Sequence, residues 1–144
     1  MRQTPFTLTA SDAAQMIVSG RLSSVDLVKS CLSRIDETDE QIEAWAYLDR
    51  EAALEQADEC DRIRKAGYAT GPLHGVPIGI KDIIDTRDMP TECGTPALAR
   101  RQPEKDARII EKLREAGAVI MGKTVTTELA FMHPSRTRNP HNPD

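Results

Sequence analysis

Gly71-Pro-Leu-His-Gly-Val-Pro-Ile-Gly-Ile-Lys-Asp82 carries the pattern from which the fold can be read. Val76, Ile78 and Ile80 alternate with Pro77 and Gly79, so one face of a short strand is β-branched and the other is small. Lys81 stands at the carboxyl end of that strand. In open parallel α/β sheets ligands bind beyond the carboxyl ends of the strands, which makes a lysine delivered there a better candidate for chemistry than one on a helix face. Most lysines are solvated surface charges. The setting distinguishes this one: Gly75 and Gly79 allow close packing, and the flanking apolar residues predict partial burial. Burial disfavours the ammonium, and the neutral amine can then act as a general base.

Downstream, Asp82-Ile-Ile-Asp85 leads into residues 86–96, rich in Thr, Gly and Pro and therefore a loop. Asp106 is expected to cap a helix over 107–116, with Ile109, Ile110 and Leu113 as its buried stripe and Gly117 as its terminator. Ala118-Val-Ile-Met-Gly122 follows as a second apolar strand. Strand, loop, helix, strand over about 76–122 is a βαβ unit, with parallel strands joined by a right-handed crossover. Parallel pairing brings Lys123 to the sheet edge that holds Lys81. The two lysines could share a site, or Lys123 could anchor a carboxylate such as Asp82; the second is the expectation. A short helix capped by Thr124 is expected over 124–131, and residues 134–144, with three prolines and two asparagines, are expected to be irregular.

Upstream, Thr9-x-x-Asp12 is a capping pattern for a short helix that stops at Gly20. Ser23 and Ser24 precede a second apolar stripe, Val28, Cys31, Leu32 and Ile35, whose helix should run to about Asp36. The serine pair is read as a helix cap rather than a nucleophile with a helper. Residues 44–48 form a strand candidate in which Trp45 and Tyr47 alternate with Ala46 and Leu48. A third helix over 50–66 turns Ala53, Leu54, Ala57 and Ile63 inward and ends at Gly67. The organisation is thus a helical lead-in over 1–70 and a first βαβ part over 71–144, together one incomplete domain.

With 144 residues, 39% hydrophobic and 29% charged, the chain has the composition of one globular unit and not of a disordered tail. A formal charge of −4 argues against direct binding to a nucleic-acid backbone, and 3% aromatic residues leave few platforms for stacking bases. Residues 1–10 lack the apolar core of a signal peptide and no apolar run is long enough to cross a bilayer, so no membrane partner is expected and the protein is read as cytoplasmic. Cys31, Cys60 and Cys93, odd in number and widely spaced, fit reduced thiols. No two of His74, His133 and His141 have the spacing of a helical metal pair, so neither metal nor cofactor is expected, and His74 is read as a hydrogen-bonded loop residue.

These motifs together resemble the amidase signature hydrolases. The resemblance rests on 71–82, on Thr91-Glu-Cys-Gly-Thr95, on Leu113-Arg-Glu-Ala-Gly-Ala-Val-Ile-Met-Gly-Lys-Thr124, on Glu128-Leu-Ala-Phe131 and on Thr137-Arg-Asn-Pro-His-Asn-Pro143, in that order. Gly117-Ala-Val-Ile-Met-Gly122-Lys-Thr124 has the spacing of a phosphate loop, but its four intervening residues are the apolar strand read over 118–122 and not a glycine-rich loop leading into a helix, so no nucleotide binding is expected. The resemblance implies an α/β fold, the N-terminal part of a mixed sheet covered by helices, and a Ser-cisSer-Lys mechanism in which Lys81 takes a proton through a bridging serine from the serine that attacks an amide carbonyl. The Gly- and Ser-rich signature that supplies both serines in that family should begin just after Asp144; beyond Lys81 the only serine here is Ser135. The expectation is therefore an amidase portion that carries Lys81 alone and is inactive by itself. In the complete protein the partner would be a small-molecule amide, with a missing C-terminal portion or a second copy completing the fold. Three alternatives stand beside it: a non-catalytic interaction module or truncated relative; part of the A-type subunit of a glutamine-dependent tRNA amidotransferase; and a cysteine site built from Cys93, Glu92 and Lys81.

Overall fold

A computed structural model describes residues 4–142. Four helices, α1 (Ala10–Val18), α2 (Ser24–Ile42), α3 (Arg50–Lys65) and α4 (Arg108–Glu115), pack around three strands, β1 (Trp45–Leu48), β2 (Pro77–Lys81) and β3 (Val119–Thr124). The strand order is β1-β3-β2, with β2 parallel and β1 antiparallel to the central β3. The expected βαβ unit is present and its two strands are direct neighbours. The sheet is mixed, as the resemblance implies.

β3 is apolar on both faces because both are covered. Val119 and Met121 pack against Val28 and Leu32 of α2 and Ala53 and Ala57 of α3. Ile120 faces the opposite way, onto Ile80, Met89 and Ile110. A third cluster of Ala13, Ile17 and Leu27 fastens α1 to α2.

The helix starts follow the capping chemistry of the sequence. Thr9 Oγ1 accepts from Asp12 N at 3.1 Å and Ser23 Oγ from Asp26 N at 2.9 Å, so the first serine of the pair caps the helix, while the Ser24 hydroxyl turns to Gly75 O. Gly67 follows α3 with φ +77°, a conformation that favours glycine. α2 runs on to Ile42, six residues past the expected stop. Its apolar stripe lapses at Ile35, but Glu37, Glu40 and Gln41 are good helix formers without a breaker among them. Glu43, with φ 53°, ends it, and Asp39 accepts from Ala44 N at 2.7 Å.

Three further expectations are corrected. Asp106 does not cap α4: Ala107 occupies that position without a side-chain bond. The Asp106 carboxylate instead accepts from Arg87 N at 2.8 Å and Arg114 Nε at 3.0 Å, tying the preceding loop to the helix. Ile109 is 55% exposed, since Ile110 and Leu113 already occupy the stripe that meets the sheet. No helix spans 124–131. Thr124 is the last residue of β3, paired with Lys81, and the chain then makes a single 3-10 turn over Glu128–Ala130.

Candidate functional site

β2 delivers Lys81 to the sheet edge as the alternation of its residues dictates. Ile80 is buried in the cluster beneath α4, so Lys81 lies on the opposite face, the face of Gly79. A Cβ at Gly79 would come within 2.9 Å of Thr124 Cγ2 and 3.0 Å of Trp45 Cη2, so only glycine lets the indole lie so close to the strand. The expected partial burial of Lys81 is not found: the residue is exposed. β2 is the outermost strand of the order, and α2 and α3 cover the other end of that face. Among the described residues Lys81 Nζ makes no hydrogen bond or ion pair.

Everything immediately after it is engaged. Lys81 O accepts from Ile84 N at 3.0 Å, Asp82 N donates to Thr124 O at 2.9 Å, and Asp82 O accepts from Cys93 N at 2.9 Å. The Asp82 carboxylate, nearly fully buried, accepts from Glu92 N at 3.2 and 3.3 Å.

Lys123 comes to the same edge but not to the same side. A bulge sets Met121 and Gly122 of β3 against a single step of β2, and Lys123 pairs with Ile80. The bulge carries Lys123 inward. The side chain is wholly buried and donates to Ile84 O at 2.9 Å, Pro90 O at 3.2 Å and Thr91 Oγ1 at 2.5 Å, with Asp82 Oδ1 at 3.5 Å. Burial lowers its pKa, and the attraction of Asp82 and Asp85 only partly offsets that. Of the two roles open to it, anchoring Asp82 is the one observed.

The loop around this lysine has a second lock. Arg101 donates to both Asp85 oxygens at 2.7 and 2.8 Å, and these bonds hold the Asp85 carboxyl below the usual carboxylate range. A cleft of about 380 Å³ opens at the strand ends, lined by Asp82, Glu92, Thr95, Thr126, Ser135 and Arg136. Ser135, read in the sequence only as an isolated serine, belongs to that wall. Thr95 Oγ1 donates to Glu128 at 2.7 Å, which joins the 91–95 loop to the turn after β3.

The remaining candidates have structural contacts. Glu92 Oε1 accepts from Arg100 N at 2.6 Å, and Cys93 takes φ 55° in the loop, its carbonyl accepting from Leu129 N at 2.8 Å. His74 is buried with Nε2 2.8 Å from Cys60 O, the hydrogen-bonded loop residue expected. No group of three or more His, Cys, Asp or Glu among the described residues could hold a metal ion. None of the described helices is long and apolar enough to cross a membrane.

A family model described as Amidase matches residues 26–144. Among curated relatives, the A-type subunit of the glutamyl-tRNA(Gln) amidotransferase of Chloroflexus aggregans is 44% identical over 124 residues, covering 86% of this chain and 25% of its own length. The protein named putative amidase AmiD of Mycobacterium tuberculosis is 40% identical over 130 residues, covering 89% and 27%. A crystal structure of an amidase superposes with a TM-score of 0.85 at 34% identity, covering 94% of this chain and 32% of that one. The chain thus spans about a quarter of the length of the curated relatives it matches.

Proposed function

Because this chain belongs to the amidase family, we propose that it supplies the lysine base of an amide-hydrolysing site, Lys81, to a longer polypeptide. The observation that carries the reading is the contrast between the two lysines at one sheet edge. Lys123 is buried and saturated with acceptors, whereas Lys81 ends β2 exposed, and the residue after it, Asp82, lines the cleft at the strand ends.

In the mechanism that follows, the Lys81 amine takes a proton, relayed through one serine, from a second serine whose Oγ bonds to the amide carbonyl carbon. The C–N bond then breaks, the leaving amine departs with a proton, and water releases the acid from the acyl-serine. This chain's own contribution is the proton acceptor and the strand that aims it. Amide hydrolysis by the longer polypeptide, followed as ammonia or amine release, is expected to fall about 10²–10⁴-fold in kcat on Lys81→Ala. A Lys81→Ala enzyme with unchanged kcat would remove the reading.

A second reading has specific support: the Chloroflexus aggregans relative belongs to an amidotransferase. In that case glutamine is the amide hydrolysed, and turnover depends on partner subunits that bring the acceptor. Ammonia release from glutamine only when partner subunits are added would favour this second reading. Release from simple amides by the polypeptide alone would favour the first. A non-catalytic interaction module would release ammonia from neither.

A further inference from the structure

We propose that Lys123 is the positioning residue for Lys81, an inference that rests on reading Lys81 as the base. All four polar contacts of the Lys123 ammonium lie within residues 82–91: Ile84 O, Pro90 O, Thr91 Oγ1 and the Asp82 carboxylate. They join the segment that leaves Lys81 to the segment that returns beneath it. The Asp82 carboxylate passes the constraint on to Glu92 N, and the Asp82 peptide is clamped between Thr124 O and Cys93 N. Asp82 is bonded directly to Lys81, so the direction in which Lys81 leaves the sheet is set by this staple.

A purely packing role does not account for a lysine here. A buried ammonium costs several kcal/mol unless it is paired and hydrogen-bonded, and an apolar side chain of similar volume would fill the same space without that cost. What an apolar side chain cannot do is hold two backbone carbonyls and a hydroxyl at once, which the three N–H donors of lysine do. The bulge at Met121 and Gly122 is the backbone device that turns this residue inward.

The test is a double-mutant cycle in the longer polypeptide that contains this chain. Lys123→Met is expected to lower kcat about tenfold or more while KM stays within about twofold, because a displaced base slows the chemical step without touching substrate affinity. In a Lys81→Ala background the same change is expected to have no further effect on the residual rate, since it acts only through the base. Unchanged kcat for Lys123→Met, a rise in KM with kcat intact, or a further fall on top of Lys81→Ala would each overturn the inference. If Lys123→Met does not fold, Thr91→Val, which removes one acceptor and keeps the shape, carries the same test: a fall in kcat alone of about threefold is expected, and no fall overturns the inference. A fully active Lys81→Ala enzyme would overturn the reading of Lys81 itself, whatever Lys123 does.

Discussion

Asp61 shows how one side chain can set the junction between layers. Its carboxylate is buried and accepts from Ser24 N at 2.9 Å and Val25 N at 3.2 Å, satisfying amides that the start of α2 leaves free. Ser24 Oγ in turn donates to Gly75 O at 2.8 Å, immediately before β2. Removing the carboxylate orphans one buried and one partly buried donor, so Asp61→Ala is expected to cost about 1–3 kcal/mol in urea unfolding of the chain, and Asp61→Asn less. An unchanged midpoint for Asp61→Ala would show that water replaces the carboxylate. Asp85 gives a pH-dependent counterpart. Its folded pKa lies below its unfolded one because of Arg101, so the unfolded chain binds more protons as acid is added. The stabilisation is complete above about pH 4 and is lost as pH falls through the lowered folded value. Both partners are partly exposed, and solvent screening keeps the contribution small. A carboxyl NMR titration should place the Asp85 midpoint below that of ordinary aspartates, and Arg101→Gln should move it upward.

At the scale of elements, α4 separates two neighbouring isoleucines. Ile110 is fully buried against β3 and Met89, whereas Ile109 is more than half exposed. Ile110→Ala is expected to cost about 2–5 kcal/mol and Ile109→Ser less than about 0.5 kcal/mol, both read from denaturant midpoints; equal losses would contradict the assigned helix face. The contrast also marks where the sequence could be read and where it could not. β2, β3 and the starts of α1 and α2 were legible because periodicity and capping residues are local signals. The end of α2 was not, because a charged stretch of good helix formers carries no stop. Asp106 carries the same cap signal as Ser23, yet the Arg87 backbone in the preceding loop and the Arg114 side chain near the far end of α4 take its carboxylate. Lys81 was singled out by its place at a strand end, whereas its exposure depended on which strand would be outermost, and that is a property of topology. Gly122 inside a strand was the one available sign of the bulge that turns Lys123 inward.

For the whole molecule the surface is large. The chain exposes 9012 Å² at a mass of 15.9 kDa, where a compact monomer of that mass would expose about 7,350 Å². The excess includes Tyr68, Phe131 and Met132, each more than 70% exposed, and the outer edge of β2 has no strand beside it among the described residues. Open edges and apolar surface favour association. The isolated chain is expected to self-associate or to melt broadly, by sedimentation velocity and near-ultraviolet dichroism at several concentrations. A sharp, concentration-independent transition of a monomer would contradict this.

The strand order also sets a schedule. β1 and β2 both pair with β3 and not with each other, yet β3 is made last of the three. On the ribosome, β1 must wait on the order of 4–15 s for its partner at 5–20 residues per second, with its backbone groups hydrated or shielded by α2 and α3. Helix pairing can therefore precede any sheet, and a pause in translation before Val119 would lengthen the interval in which nascent strands are open to wrong partners.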